Sequence, residues 1–416
     1  MTLRVFRRSA RSTGPGDSSG HALELVRSAL DVAELLVEHV VLPEMARPET
    51  RDFTKEVGEV SMLLRLADRV LSEQADRDRI VRLGGQIAPI ARSGATANMV
   101  VVRPSRAAAH LLAHGCLQQV GCTDATFDEL ARTALGSSAA GAAERVPYRL
   151  LDVAWIRHLV LGDAELDHPA LPVSPIAQGV DLVATTIDDA YAFSHALPYA
   201  TDFGRRPLPG WADGPWLSGI ADALILKSLD EDDLDLLGEL LMAPALLRTP
   251  WTSVQWFGWQ VLCDTWRRYG FVPGPGLPEA VEGESHADAV RRVLGTVYHT
   301  TLVGGLAVAT LHSTGHLPPG APPSAPVGPS AWVDPDGPPR AWRRVWHRLD
   351  PADREALNAV PAGMALHSAV SDTNVVAIMR ALNSSAVAHM PEPLVMQAAE
   401  LVNRLAVLVG AQTGAH

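Results

Sequence analysis

Cysteine is scarce in this chain: Cys116, Cys122 and Cys263 are the three among 416 residues. So few cannot staple a disulfide scaffold, and their spacing offers one loose pair where a structural zinc site asks for two close ones. Unpaired thiols fit a reducing compartment, so a cytoplasmic protein is expected. Lysine is nearly absent, with Lys55 and Lys227 alone, and arginine carries the positive charge. That charge is outweighed: 35 Lys and Arg stand against 47 Asp and Glu, for a net charge of −12. A phosphate backbone asks for a basic face, which excludes nucleic acid as a principal partner. No apolar run is long enough to span a bilayer, so no membrane partner is expected. Arg4, Arg7, Arg8 and Arg11 are followed by no apolar stretch of signal length, and residues 1–20 read as a disordered arm.

Known chemical signatures are missing as well. There is no His-Glu-x-x-His, no phosphate-binding Gly-x-x-x-x-Gly-Lys, no Gly-x-Ser-x-Gly and no dinucleotide glycine fingerprint. Alternating, β-branched strand patterns are few; the best is a short one at 99–102. Apolar residues nevertheless make up 47% of the chain, which rules out disorder over most of it.

Helical periodicity fills the rest. Leu25, Ala29, Val32, Leu36 and Val40 recur at three- and four-residue steps, with Pro43 expected to close the segment. Similar stretches include 147–161, 178–197, 230–247, 252–269, 285–312 and 361–382. The fold class is therefore all-α: antiparallel helical hairpins in an α/α toroid-like arrangement, with two packed helical domains as the alternative. The arm at 1–20 precedes a helical domain over 21–312. A Pro/Gly-rich loop follows at 313–340, and helices over 341–416 complete the same domain. Residues 198–214 also read as non-helical, because Pro198 interrupts the pattern.

Polar insertions in apolar helices are where chemistry is expected. On a helix over 178–197, Asp181, Asp188 and His195 share a face, with Tyr191 beside it. Asp202 follows in a turn from which it could reach back to His195 and raise its pKa, giving a proton carrier. The bland alternative has Asp202 capping a turn and His195 bonding a carbonyl across a helix seam. Tyr298, His299, Thr300 and Thr301 interrupt the apolar half of 285–312, and a buried polar group needs a partner. Gly304 and Gly305 would admit another backbone or a ligand. His367, Ser371 and Asn374 share a face if 361–382 is one helix; otherwise Ser371 or Asp372 caps a new one near Thr373. Trp256, Trp259 and Gln255 either wall an apolar pocket or pack the core. Arg149 suits a carboxylate or phosphate, or a surface ion pair. The acidic run Glu231-Asp232-Asp233 reads as an exposed helix start.

The Tyr191-x-x-x-His195 unit with Thr201-Asp202-Phe203-Gly204, and Tyr298-His299-Thr300-Thr301 downstream, resembles a group of uncharacterised bacterial helical proteins. Their genes tend to lie near those of natural-product biosynthesis. The resemblance rests on these short motifs and implies no particular reaction, but it implies that the motifs line one site.

The expected function is an enzyme of specialised metabolism, a lyase, cyclase or hydrolase acting on a partly apolar small molecule or peptide. His195, Asp202, His299 and Tyr298 would be catalytic, with Tyr191, Asp188, Trp256, Trp259, Gln255 and Arg149 binding substrate. No organic cofactor is required; a single divalent metal on His195, Asp202, His299 and His367 is the variant. The competing class is a non-catalytic ligand-binding or scaffold protein. Convergence of His195 and His299 on one hollow separates the two.

Overall fold

Leu25, Ala29, Val32 and Leu36 are all buried along one face of the first helix, α1 (Ser18–Leu36). A π turn at Val37–Val41 then inserts an extra residue into the helical register. It turns Val37 and Val41 inward and leaves Val40, the expected next step, half-exposed. Pro43 does not close the segment but lies in α2 (Leu42–Met45). The wide turn before it relieves the clash that a proline ring makes with the carbonyl four residues back.

The structure is a computed structural model that describes residues 18–45, 52–162, 169–274, 284–320 and 340–413. Most of the expected arm at 1–20 and of the loop at 313–340 lies outside these residues. The described chain is all-α, without a strand. After α2 come α3 (Thr54–Asp68), α4 (Gln74–Ala91), α5 (Gly94–Val102), α6 (Ala107–Gln119), α7 (Ala125–Gly136) and α8 (Pro147–Leu161). The middle of the chain forms α9 (Pro175–Gln178), α10 (Ile187–Thr201), α11 (Gly214–Glu231), α12 (Leu234–Leu240), α13 (Ala243–Leu247), α14 (Ser253–Tyr269) and α15 (His286–Ser313). Last are α16 (Ala341–Arg348), α17 (Pro351–Ala356), α18 (Ala359–Ser371), α19 (Val375–Leu382) and α20 (Glu392–Thr413).

Local chemistry sets these boundaries, and several differ from expectation. The strand-like 99–102 is the end of α5, whose start is capped by Ser93 through its hydroxyl and the Thr96 N–H. Helix α10 starts at Ile187 and not at 178, because Thr186 and Asp189 form a capping box. Asp181 lies before that box, where its carboxylate accepts from the N–H groups of Val183 and Ala184. It therefore shares no helix face with His195. At its other end α10 runs through Pro198 to Thr201, since a proline removes one backbone donor without forbidding the next turn. The 361–382 segment is broken at Thr373, with φ 53°, and Asn374 caps α19.

Helix α15 is the core element. It packs on α1, α3 and α12, and from Thr300 to Leu311 every residue is buried. By length and composition it would suffice to cross a bilayer, which counting unbroken apolar residues did not reveal; 78% of its apolar window is buried inside the protein. Gly304 and Gly305 serve this packing and not a ligand. A Cβ on Gly304 would stand 2.8 Å from the Trp266 ring, and one on Gly305 would stand 2.6 Å from the Ala29 Cβ. The C-terminal helices lie against the same body, α18 and α20 on α11 and α16 on α14.

Two alanine substitutions in α15 should therefore act with opposite sign. At Gly295, where an added Cβ meets nothing within 4 Å, helix propensity alone applies and stability rises by about 0.5–1 kcal/mol. At Gly305 the collision with α1 costs roughly 1–3 kcal/mol. Urea midpoints at unchanged m-value measure both.

Candidate functional site

The acidic run at 231–233 is a sharp corner between two helices. Asp232 ends α11 in a left-handed conformation, and the Asp233 carboxylate accepts from the N–H groups of Asp235 and Leu236 to start α12. The corner places Asp235 and Glu239, four residues apart and so on one face of α12, against the side of α10. Both carboxylates are buried, so both need partners.

Those partners come from two helices, α10 and α15, beside a cavity of about 1180 Å³. His195 of α10 donates from Nε2 to Glu239 Oε1 at 2.9 Å. The Ser194 hydroxyl donates to the other oxygen of Glu239. His299 of α15 stands between two carboxylates, with Nδ1 3.0 Å from Glu59 Oε2 of α3 and Nε2 3.3 Å from Asp235 Oδ2. Tyr191 closes the chain by donating its hydroxyl to the same Asp235 oxygen at 2.9 Å. His195 is further framed by the rings of Tyr191, Tyr148 and Tyr199, at centroid distances of 5.6, 5.9 and 6.3 Å. Its Nδ1 is buried and has no hydrogen-bond partner among the described residues.

The two histidines differ in electrostatic state. Burial pulls the His299 pKa down, but hydrogen bonds and charge from Asp235 and Glu59 overwhelm it, raising the value to about 10. The ring is an imidazolium at neutral pH, with a carboxylate within ion-pair distance of each nitrogen. At neutral pH it therefore holds a positive charge between the two carboxylates. Burial likewise lowers the His195 pKa, and Glu239 by charge and hydrogen bond lifts it above the ordinary 6.5. The His195 ring lines the cavity, and its Nδ1 stays unpartnered among the described residues. Asp235 shows the reciprocal effect: burial would raise its pKa, yet the bonds from His299 and Tyr191 bring it below the usual carboxylate range.

The remaining expected residues divide. Tyr191, Asp188 and Arg149 line the cavity with His195 and His299. Arg149 also pairs with Asp152, at 3.2 Å. Tyr298 is buried and does not line it. Nor do Trp256, Trp259 and Gln255. The Trp256 N–H donates to the Pro319 carbonyl, Trp259 packs edge-on against Trp251, and Gln255 completes the capping box of α14 and bonds Ser218. These are core contacts, as the large buried area of tryptophan favours.

Asp202 is the main correction. It does not orient His195. Asp202, Phe203 and Gly204 turn left-handed in succession, with φ of 48°, 53° and 81°. The first two are strained for residues with side chains. The buried Asp202 carboxylate holds the turn by accepting from Arg65 Nη2 at 2.7 Å and Trp155 Nε1 at 2.8 Å. His367 lies on α18 outside the cavity, so the four-residue metal set does not assemble. Among the described residues no group of three or more His, Cys, Asp or Glu is placed to hold a metal ion.

Three carboxylates that define the site, Glu59, Asp235 and Glu239, were not singled out from the sequence. The signal for the latter two was present as acids four apart in the leucine-rich Leu234-Asp-Leu-Leu-Gly-Glu-Leu. Glu59 carried none, since it resembles any polar residue on an amphipathic helix.

A family model described as a domain of unknown function (DUF6895) matches residues 26–309. The chain belongs to that family. All the residues that line the cavity, from Asp52 to Leu306, fall inside the matched segment. No curated protein and no solved structure matches the chain.

His299→Gln should destabilise the protein by roughly 2 kcal/mol at pH 7, through lost charge-assisted bonds. Because the folded pKa is raised, this contribution is complete below pH 6.5 and is lost as pH climbs through about 10. Denaturation of wild type and variant should converge across that interval. Asp202→Asn should cost about 3 kcal/mol by leaving Arg65 buried without its counter-charge. It should leave the His195 titration seen by NMR unmoved, whereas an orienting role would shift it.

Proposed function

We propose that this chain is an enzyme of general acid–base chemistry acting on a partly apolar small molecule or peptide in the central cavity. A single observation carries the reading: the His195 ring lines the hollow, with one nitrogen held by a buried carboxylate and the other, though buried, left without a partner among the described residues. A carboxylate behind an imidazole fixes its orientation and stabilises the cation formed when it takes a proton. In this mechanism the His195 imidazole accepts a proton from the substrate and returns it at a second position, the balance of a cyclisation or an elimination. Hydrolysis would use the same imidazole to activate water.

Glu239 is the positioning residue, and Ser194 fixes its second oxygen. The His299 imidazolium with Glu59 and Asp235 forms a fixed cluster of net charge −1, which favours positive charge developing on the substrate. Tyr148, Tyr191 and Tyr199 offer ring faces to its apolar part. No organic cofactor is asked for. Helices α3, α8, α10, α12 and α15, which contribute the lining, are read as part of a toroid-like ring. The placement in natural-product metabolism rests on the motif resemblance around His195, Asp202 and His299.

A ligand-binding role without turnover would need the hollow but not an imidazole backed by a buried carboxylate. Incubating the purified protein with producer-cell extract, followed by mass spectrometry, tests the difference. The wild type should convert at least one component, and His195→Gln should abolish that conversion while remaining folded by circular dichroism. Conversion that survives the substitution defeats the assignment. Glu239→Gln removes the charge that raises His195 but keeps the burial that lowers it. The His195 pKa should therefore fall from above 6.5 to below it, as read by NMR.

A further inference from the structure

On the far side of the Asp202 turn lies a second cavity of about 690 Å³, lined by Arg65, Arg69, Arg205, Arg248 and Asp68 among others. Four guanidinium groups converge there in a protein whose net charge is −12. We propose that this cavity is a binding site for a dianionic phosphate carried by a small molecule, independent of the chemistry proposed for the central cavity.

The balance of charge carries the inference. Asp202 is hydrogen-bonded to Arg65, at 2.7 Å. Arg69 and Arg205 approach the same carboxylate only to 3.6 and 3.7 Å, beyond hydrogen-bond length. One carboxylate thus faces three guanidinium groups, and Arg248 adds a fourth with no ion pair among the described residues. Asp68 offsets one of the remaining charges, so about two positive charges stay uncompensated, the charge of a phosphate monoester.

The donors are also unspent. Arg65 is 3% exposed at its side chain, and its Nε and Nη1 lack hydrogen-bond partners, as do Nη1 and Nη2 of Arg69. Buried donors of this kind are costly unless something accepts from them. Burial and the neighbouring Arg65 lower the Arg69 pKa to about 10, which reflects the same crowding of like charge. Guanidinium forks match the oxygens of phosphate in pairs.

Gly204 also lines the cavity; its φ of 81° and the Thr314 methyl 2.6 Å from where a Cβ would stand explain the glycine by the turn and its packing. The volume exceeds what a bare phosphate needs and lies in the range of small-molecule sites.

Isothermal titration calorimetry of the full chain with inorganic phosphate, pyrophosphate and succinate tests the proposal. Phosphate and pyrophosphate should bind one to one, more weakly as salt rises. Arg69→Gln with Arg248→Gln should weaken both at least tenfold, with circular dichroism and melting confirming the fold. These two arginines are chosen because Arg65 holds the Asp202 turn. His195→Gln should leave phosphate binding unchanged, which separates failure here from failure of the central site. Absence of heat with either phosphate at millimolar concentration overturns the site. So does affinity that survives the double substitution, and succinate binding as tightly as phosphate overturns the ligand class.

Discussion

Asp202 accepting from Arg65 and Trp155 is the contact on which both cavities depend. The carboxylate is buried, and without it a guanidinium and an indole N–H would be stranded in the interior. It pins three left-handed residues in place, two of which would not adopt that backbone unaided. Phe203, at the centre of the turn, forms part of the wall of both hollows. Trp155 faces the central cavity, with the Arg65 guanidinium 5.4 Å over its ring. One strained turn thereby separates a hollow of imidazole and carboxylate from one of arginine.

Charge pairing explains how the central cavity holds so many titratable groups. Each histidine is matched by carboxylates from other helices, Glu239 for His195, and Glu59 with Asp235 for His299. Two carboxylates raise the His299 pKa to about 10 and keep it cationic at neutral pH. Half pairing leaves His195 able to exchange a proton, and this difference underlies the proposed catalysis. The two imidazoles would look equivalent by composition; the number of carboxylates within reach distinguishes them.

The motifs picked out from the sequence were informative about place, and for Asp202 misleading about the partner. His195, Tyr191 and His299 do line one hollow, because polar residues inside apolar helices must find partners or a cavity. Asp202 was assigned to the wrong partner. Its nearness to His195 in sequence suggested a contact, while the left-handed turn points its carboxylate at Arg65 and Arg69. The tryptophans at 256 and 259 followed the opposite rule: large aromatic side chains pack the interior, and their N–H groups need only a carbonyl.

By itself the sequence determined that the chain is helical, through its three- and four-residue apolar steps. It also determined where most helices begin, through capping residues such as Ser93, Thr186 and Thr252. Both are local properties, settled within a turn or two of backbone. Only the tertiary structure decided which carboxylate meets which imidazole. Glu59 and His299 are 240 residues apart in the chain, and their meeting depends on how α3 packs against α15. The same holds for the arginines. Arg65 on α3 and Arg69 at its C-terminal cap stand one turn apart, but Arg205 and Arg248 reach them only through the folding of the chain between.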